Sequence, residues 1–122
     1  MATLLESVVQ RLRGAVDAPI SYGRAAGLTG VQVVVTQDET PVDARRAERG
    51  LDIDIFAPGP DPAAIESARR DIVDALHYAL IGNTDDAGAV RVFMRDQSDV
   101  DDDEDWAHWS MRFVARFARE QP

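Results

Sequence analysis

The chain has 122 residues, 45% of them hydrophobic, which is enough for one buried core and hardly two. It carries 22 acids against 13 bases, a net charge of −9 that opposes general binding to a phosphate backbone. The absence of cysteine excludes disulfides and thiolate-bound metals, and no apolar run approaches the roughly 20 residues of a membrane-spanning helix. The opening residues lack the basic-then-apolar order of a secretory signal. All 13 bases are arginine, which fits either a GC-rich coding background or a surface built for bidentate ion pairing.

Thr3-Leu4-Leu5-Glu6 has the spacing of a capping box, and Leu4, Leu5, Val8, Val9 and Leu12 then recur as one helical stripe. With Gly14 as the stop, this predicts a helix over 4–13. Pro19 to Tyr22 reads as a short extended segment and Arg24 to Gly30 as a loop. Val31 to Thr36 is short and β-branched, the signature of a strand. The charged stretch from Asp38 to Arg49, with Pro41 inside it, reads as a long hairpin connection or as strand ends reaching past the sheet. Gly50 to Ala57 alternates, placing Leu51, Ile53 and Ile55 on one face and Asp52, Asp54 and Phe56 on the other.

Asp61 followed by Pro62 is a helix start, and Ile65, Ile72, Val73, Leu76 and Leu80 predict a helix running to about residue 81, closed by Gly82-Asn83. Val90, Val92 and Met94 mark another strand. In the last segment Trp109, Met111, Phe113, Ala115 and Phe117 alternate with His108, Ser110, Arg112, Val114 and Arg116, the clearest period of two in the chain. Strands without a helix between them pair antiparallel. The expected fold is therefore α+β: a mostly antiparallel four- to five-stranded sheet with two amphipathic helices packed on one face, in a single domain over 1–122.

The candidate sites fall short of known chemistry in specific ways. Asp99, Asp101 and Asp103 have the spacing that opens a calcium loop, but Glu104 occupies the turn-glycine position and Ser110 that of the bidentate glutamate. Asp99 to Asp105 thus reads as a solvated acidic loop. His77 and His108 belong to no His-Glu-x-x-His pair, no Gly-x-Ser-x-Gly elbow exists, and Gly23, Gly27 and Gly30 lack the Lys-Ser/Thr ending of a phosphate loop. Asp52 and Asp54 lie two apart on one strand face and read as solvent-side acids, with an acid/base or metal pair as the alternative. No catalytic residue, metal or cofactor is assigned. Arg45, Arg46 and Arg49 form a basic cluster within this acidic chain. It is either a loop balanced by Asp38, Glu39, Asp43 and Glu48 or a contact for Asp99, Asp101, Asp102, Asp103, Glu104 and Asp105 of a neighbouring copy. Trp106, ahead of the regular alternation, is the candidate interface anchor beside that acidic segment, whereas Trp109 shares the core face.

Taken in order, the N-terminal helix, the Val-rich strand, Arg49–Ala57, the helix segment Ala68–Leu76, an acidic segment and the aromatic strand Trp109–Phe117 resemble the tail terminator (tail-completion) proteins of tailed bacteriophages and related particles. The likeness spans nearly the whole chain as an ordered pattern, and the Asp99–Asp105 segment departs from it in its acidity. The resemblance implies a structural, non-enzymatic subunit that forms a ring, typically a hexamer, capping the tail tube and joining it to the head connector. It implies a tail tube protein and a head–tail connector as partners, no membrane, and a place in the virion neck after assembly in the host cytoplasm. DNA would pass through such a ring without specific binding. Two other readings stand beside it: another neck protein, such as a head-closure or connector subunit, and an acidic metal-binding domain or enzyme using Asp52, Asp54 and the Asp99–Asp105 loop. A third is an acidic mimic occupying a partner's nucleic-acid site.

Overall fold

In the computed structural model, residues 3–22, 30–37, 48–58, 62–84, 88–100 and 106–117 are described. Two helices, α1 (Leu4–Ala15) and α2 (Pro62–Leu76), accompany six strands: β1 (Ile20–Tyr22), β2 (Gln32–Gln37), β3 (Glu48–Pro58), β4 (Leu80–Thr84), β5 (Gly88–Val100) and β6 (Trp106–Phe117). The strands form one curled sheet in the order β1-β2-β3-β6-β5-β4.

The α1 capping box forms. Thr3 Oγ1 accepts from Glu6 N at 3.2 Å, and Glu6 Oε1 accepts from Thr3 N at 3.1 Å. Two orphan donors at the helix start are thereby satisfied. Leu4, Val8, Val9 and Leu12 are buried along the expected stripe. The helix runs past Gly14 to Ala15, with Val16 N donating to Leu12 O at the C-cap. A glycine in a last turn tolerates helical backbone, so it did not stop the helix there. Arg11 of α1 donates from Nε to Ala75 O at 2.6 Å, placing a cation on the carbonyl end of α2 and tying the two helices together. Both helices contribute to the same core, with Ile72 and Leu76 of α2 fully buried.

The sheet differs from expectation in number and direction. It has six strands and is mixed, because β1 pairs parallel with β2 (Ile20↔Val33 to Tyr22↔Val35). The other neighbours are antiparallel, including the β2–β3 and β5–β6 pairs. The extra strand arises where α2 ends. The apolar spacing continues through Leu80, but the helix stops at Leu76, and Tyr78 turns the chain with φ 65. Ala79 O then accepts from Val92 N at 2.9 Å while Tyr78 N donates to Val92 O at 2.7 Å, so the chain leaves the helix directly into pairing with β5. Leu80, expected in the helix stripe, lies on β4 and is 54% exposed.

The two faces of the sheet follow the period of two. Leu51, Ile53, Ile55, Met111, Phe113 and Ala115 are fully buried beneath the helices. Strand β5 is longer than expected and contains a one-residue irregularity between Met94 and Asp96. Val90 and Val92 point into the core before it, while Gln97 and Asp99 take the same side after it, opposite Met111 and Trp109. A bulge shifts the alternation in this way. His77, one residue past α2, accepts from Met94 N through Nδ1 at 3.0 Å beside the bulge.

Two outcomes follow. Leu76→Ala should cost about 2–5 kcal/mol and Leu80→Ala less than about 1 kcal/mol in urea denaturation of dilute protein; equal costs would contradict the helix end at Leu76. On the exposed face of α2, hydrogen bonding from Arg69 holds the Glu66 carboxyl below its ordinary range, with burial opposing. A depressed acid contributes stability above its unfolded value and loses it as pH falls through the folded one. Carboxyl NMR should find Glu66 titrating below an ordinary glutamate, and Arg69→Met should raise it toward the ordinary range, with Arg70 still 3.8 Å away.

Candidate functional site

The side chains with chemical potential lie on the outer face of the sheet, away from the helices. Antiparallel register places Asp52 opposite Arg112, Asp54 opposite Ser110 and Phe56 opposite His108. Asp52 Oδ1 accepts from Arg112 Nη1 at 2.8 Å, and Asp54 Oδ1 lies 2.8 Å from His108 Nε2. The His108 ring stacks on Phe56 with centroids 4.3 Å apart. Each acid is therefore turned toward its own basic neighbour on β6, and the two carboxylates do not converge on a common point. Among the described residues, no group of three or more His, Cys, Asp and Glu is placed to hold a metal ion. The face thus carries two cross-strand acid–base contacts that tie β3 to β6.

A second cluster gathers on the same face toward β4. Tyr78 meets Phe93 edge-on at 5.4 Å and leans against His77 at 4.0 Å. The Arg116 guanidinium lies 5.5 Å from the Phe93 centroid, and Arg91 Nη1 donates to Tyr78 O at 2.8 Å. Of these residues only His77 is weighed as a candidate from the sequence, and it is assigned no site. Their meeting depends on α2 ending at Leu76, which the continuing apolar spacing concealed. The signal that would have exposed it is the turn-rich run Gly82 to Gly88 between two apolar stretches, a hairpin pattern.

The expected interface residues divide between the two ends of the sheet. Arg49 is on β3 opposite Ala115, near the end from which the β2–β3 connection departs. Asp99 belongs to β5, opposite Trp109, and not to the loop that the sequence suggested; it is exposed. Trp106 begins β6 opposite Pro58, at that same end. Arg45, Arg46, Asp101, Asp102, Asp103, Glu104 and Asp105 lie outside the described residues. Trp109 packs against the core as expected, and its Nε1 donates to Gln97 Oε1 at 3.1 Å. His108 is half-buried on the outer face, and His77 closes the turn after α2.

No protein-family model matches the chain, and no curated protein sequence does either. Among solved structures, a chain from the virion of a native gene transfer agent particle superposes with a TM-score of 0.71 at 18% sequence identity. The match covers 94% of this chain and 94% of that one, so the two share a fold along nearly their whole lengths.

The cross-strand ladder has a direct test. A double-mutant cycle on Asp52 and Arg112, both about one-third exposed, should give a coupling of about 0.2–1 kcal/mol that shrinks in high salt. No coupling at low salt would show the pair to be incidental.

Proposed function

We propose that this chain is a non-enzymatic structural subunit of a phage or phage-like tail, a terminator that forms a ring, six-membered by preference, on the end of the tail tube and joins it to the head connector. The observation that carries this reading is the fold shared with a gene transfer agent virion chain over 94% of both lengths. The ordered resemblance to tail terminators, read independently from the sequence, points the same way. In this role the partners are copies of the same chain, the tail tube protein and the head–tail connector, and the place of work is the virion neck after assembly in the host cytoplasm. A net charge of −9 suits a passage through which DNA must move without adhering.

The geometry of the sheet supports a head-to-tail contact. The β2–β3 connection, with Arg45 and Arg46, departs from the end where Gln37 pairs with Leu51, and Arg49 lies beside it. The β5–β6 connection, Asp101 to Asp105, departs from the other end, where Val100 pairs with His108. In this reading Arg45, Arg46 and Arg49 of one subunit meet the acidic segment of the next, in competition with Asp38, Glu39, Asp43 and Glu48 of their own connection. A heterologous contact of this kind repeats until the rotation closes a ring.

Native mass spectrometry and negative-stain microscopy of the full chain, alone and with tail tubes, test the proposal. Closed rings, formed alone or on the tube end, are expected. Arg45→Glu combined with Arg46→Glu should shift the mass toward monomer. A chain that stays monomeric at every concentration and ignores tail tubes would sink the reading. Rings that bind a portal but no tube would move it to another neck protein.

A further inference from the structure

We infer that His77 is a proton-sensitive latch on the outer edge of β5, closed while its ring is neutral and released when the ring is charged. An antiparallel ladder turns the main-chain groups of successive residues alternately to the two edges of a strand. Val92 faces β4, since its N–H donates to Ala79 O at 2.9 Å and its carbonyl accepts from Tyr78 N at 2.7 Å. Met94, two residues on, turns its N–H to the same edge, where among the described residues β4 offers no further pair. A side chain takes that N–H in place of a strand: His77 Nδ1 accepts from it at 3.0 Å. The bond lies beside the irregularity between Met94 and Asp96 and just before Tyr78, whose φ of 65 turns the chain out of α2. His77 N–H also donates to Val73 O at 2.9 Å, and its ring leans on Tyr78 at 4.0 Å. One imidazole thus links the end of the helix, the turn and the bulge.

Imidazole chemistry makes this bond conditional. A neutral ring has one acceptor nitrogen, and Nδ1 fills that role only with the proton on Nε2. An imidazolium has two N–H donors and no acceptor, so neither a tautomer change nor a ring flip preserves the bond once the ring is charged. The bond is therefore present above the range in which an imidazole ordinarily titrates and is lost as pH falls through it. The charged and titratable groups near the junction are Asp74 one turn back on α2, Arg11 of α1 at Ala75 O, Tyr78 in the turn, Arg91, Arg95 and Asp96 on β5, and Arg116 of β6 beyond Phe93. Strand β4, from Leu80 to Thr84, carries no charge. None of these side-chain types ordinarily changes charge between about pH 5 and about pH 8, which leaves His77 as the group that does. The other histidine, His108, stands opposite Val100 at the far end of β5, with Nε2 2.8 Å from Asp54 Oδ1, a contact that protonation strengthens. Acidification acts in opposite directions at the two histidines, so their effects are separable.

Amide hydrogen exchange of the full chain by NMR, corrected for the intrinsic rate at each pH, tests the latch. Protection of the Met94 amide should fall on the order of fivefold between about pH 8 and about pH 5, following the ring signals of His77 and not those of His108. His77→Asn, which places a non-titrating carbonyl oxygen near the Nδ1 position, should keep the protection and lose its pH dependence. His77→Ala should lower the protection at both pH values. Where a variant fails to fold, the wild-type titration decides alone. Met94 protection that stays level in the wild type, that follows His108, or that keeps its pH dependence in His77→Asn would overturn the latch. The ring reading does not enter this inference and stands or falls separately.

Discussion

The antiparallel pairing of β3 with β6 governs the rest of the molecule. It runs in unbroken register from Glu48↔Arg116 to Pro58↔Trp106, the centre of the six-stranded sheet. Because side chains alternate, this single register decides which residues meet the helices and which meet solvent. It sends Ile53 and Met111 inward together and sets Asp52 against Arg112 outside. A slip of one residue in either strand would carry Asp52 and Asp54, or Arg112 and His108, into a core that holds no partner for them. The apolar core and the charged ladder are two consequences of one alignment.

The helical layer answers to that sheet. Arg11 reaching Ala75 O joins α1 to the end of α2, so the packing of one helix positions the exit of the other. The exit matters because the chain from His77 to Thr84 then turns back to lengthen the sheet. Tyr78 is held in an unfavourable backbone conformation by hydrogen bonds to β5 and by rings on either side. Beside it, the bulge in β5 exchanges which residues face inward and brings Gln97 beneath Trp109. Irregular backbone is thus concentrated where α2, β4 and β5 meet, next to the aromatic and arginine cluster.

Charge along the strands gives the subunit a direction. Arginines 49, 91 and 116 sit toward one end and Asp99 toward the other, with the most acidic sequence in the chain following Val100. For a free monomer such polarity has no evident benefit. The ring contact proposed above would draw on that polarity.

Much of this was legible in the residues themselves. The capping box, the α1 stripe, the alternation of β3 and β6 and the antiparallel pairing of neighbouring strands follow from local spacing, because burial of one face leaves a period in the sequence. What spacing alone could not convey was where a competing partner wins. Leu80 continues the helical period of α2, yet the hydrogen bonds offered by Val92 draw that segment into the sheet. The parallel β1–β2 pair and the bulge in β5 are likewise set by neighbours distant in sequence. The Arg45–Arg49 and Asp99–Asp105 clusters were plain in the sequence as charges; the placement of Arg49 and Asp99 toward opposite ends of one sheet came only from strand register. Which faces are apolar and which segments are charged can be read from residue types and their spacing, since these are local properties. The tertiary structure decided the sixth strand, the parallel edge and the meeting of Tyr78 with Phe93 and Arg91, since these depend on long-range hydrogen bonds that no local pattern records.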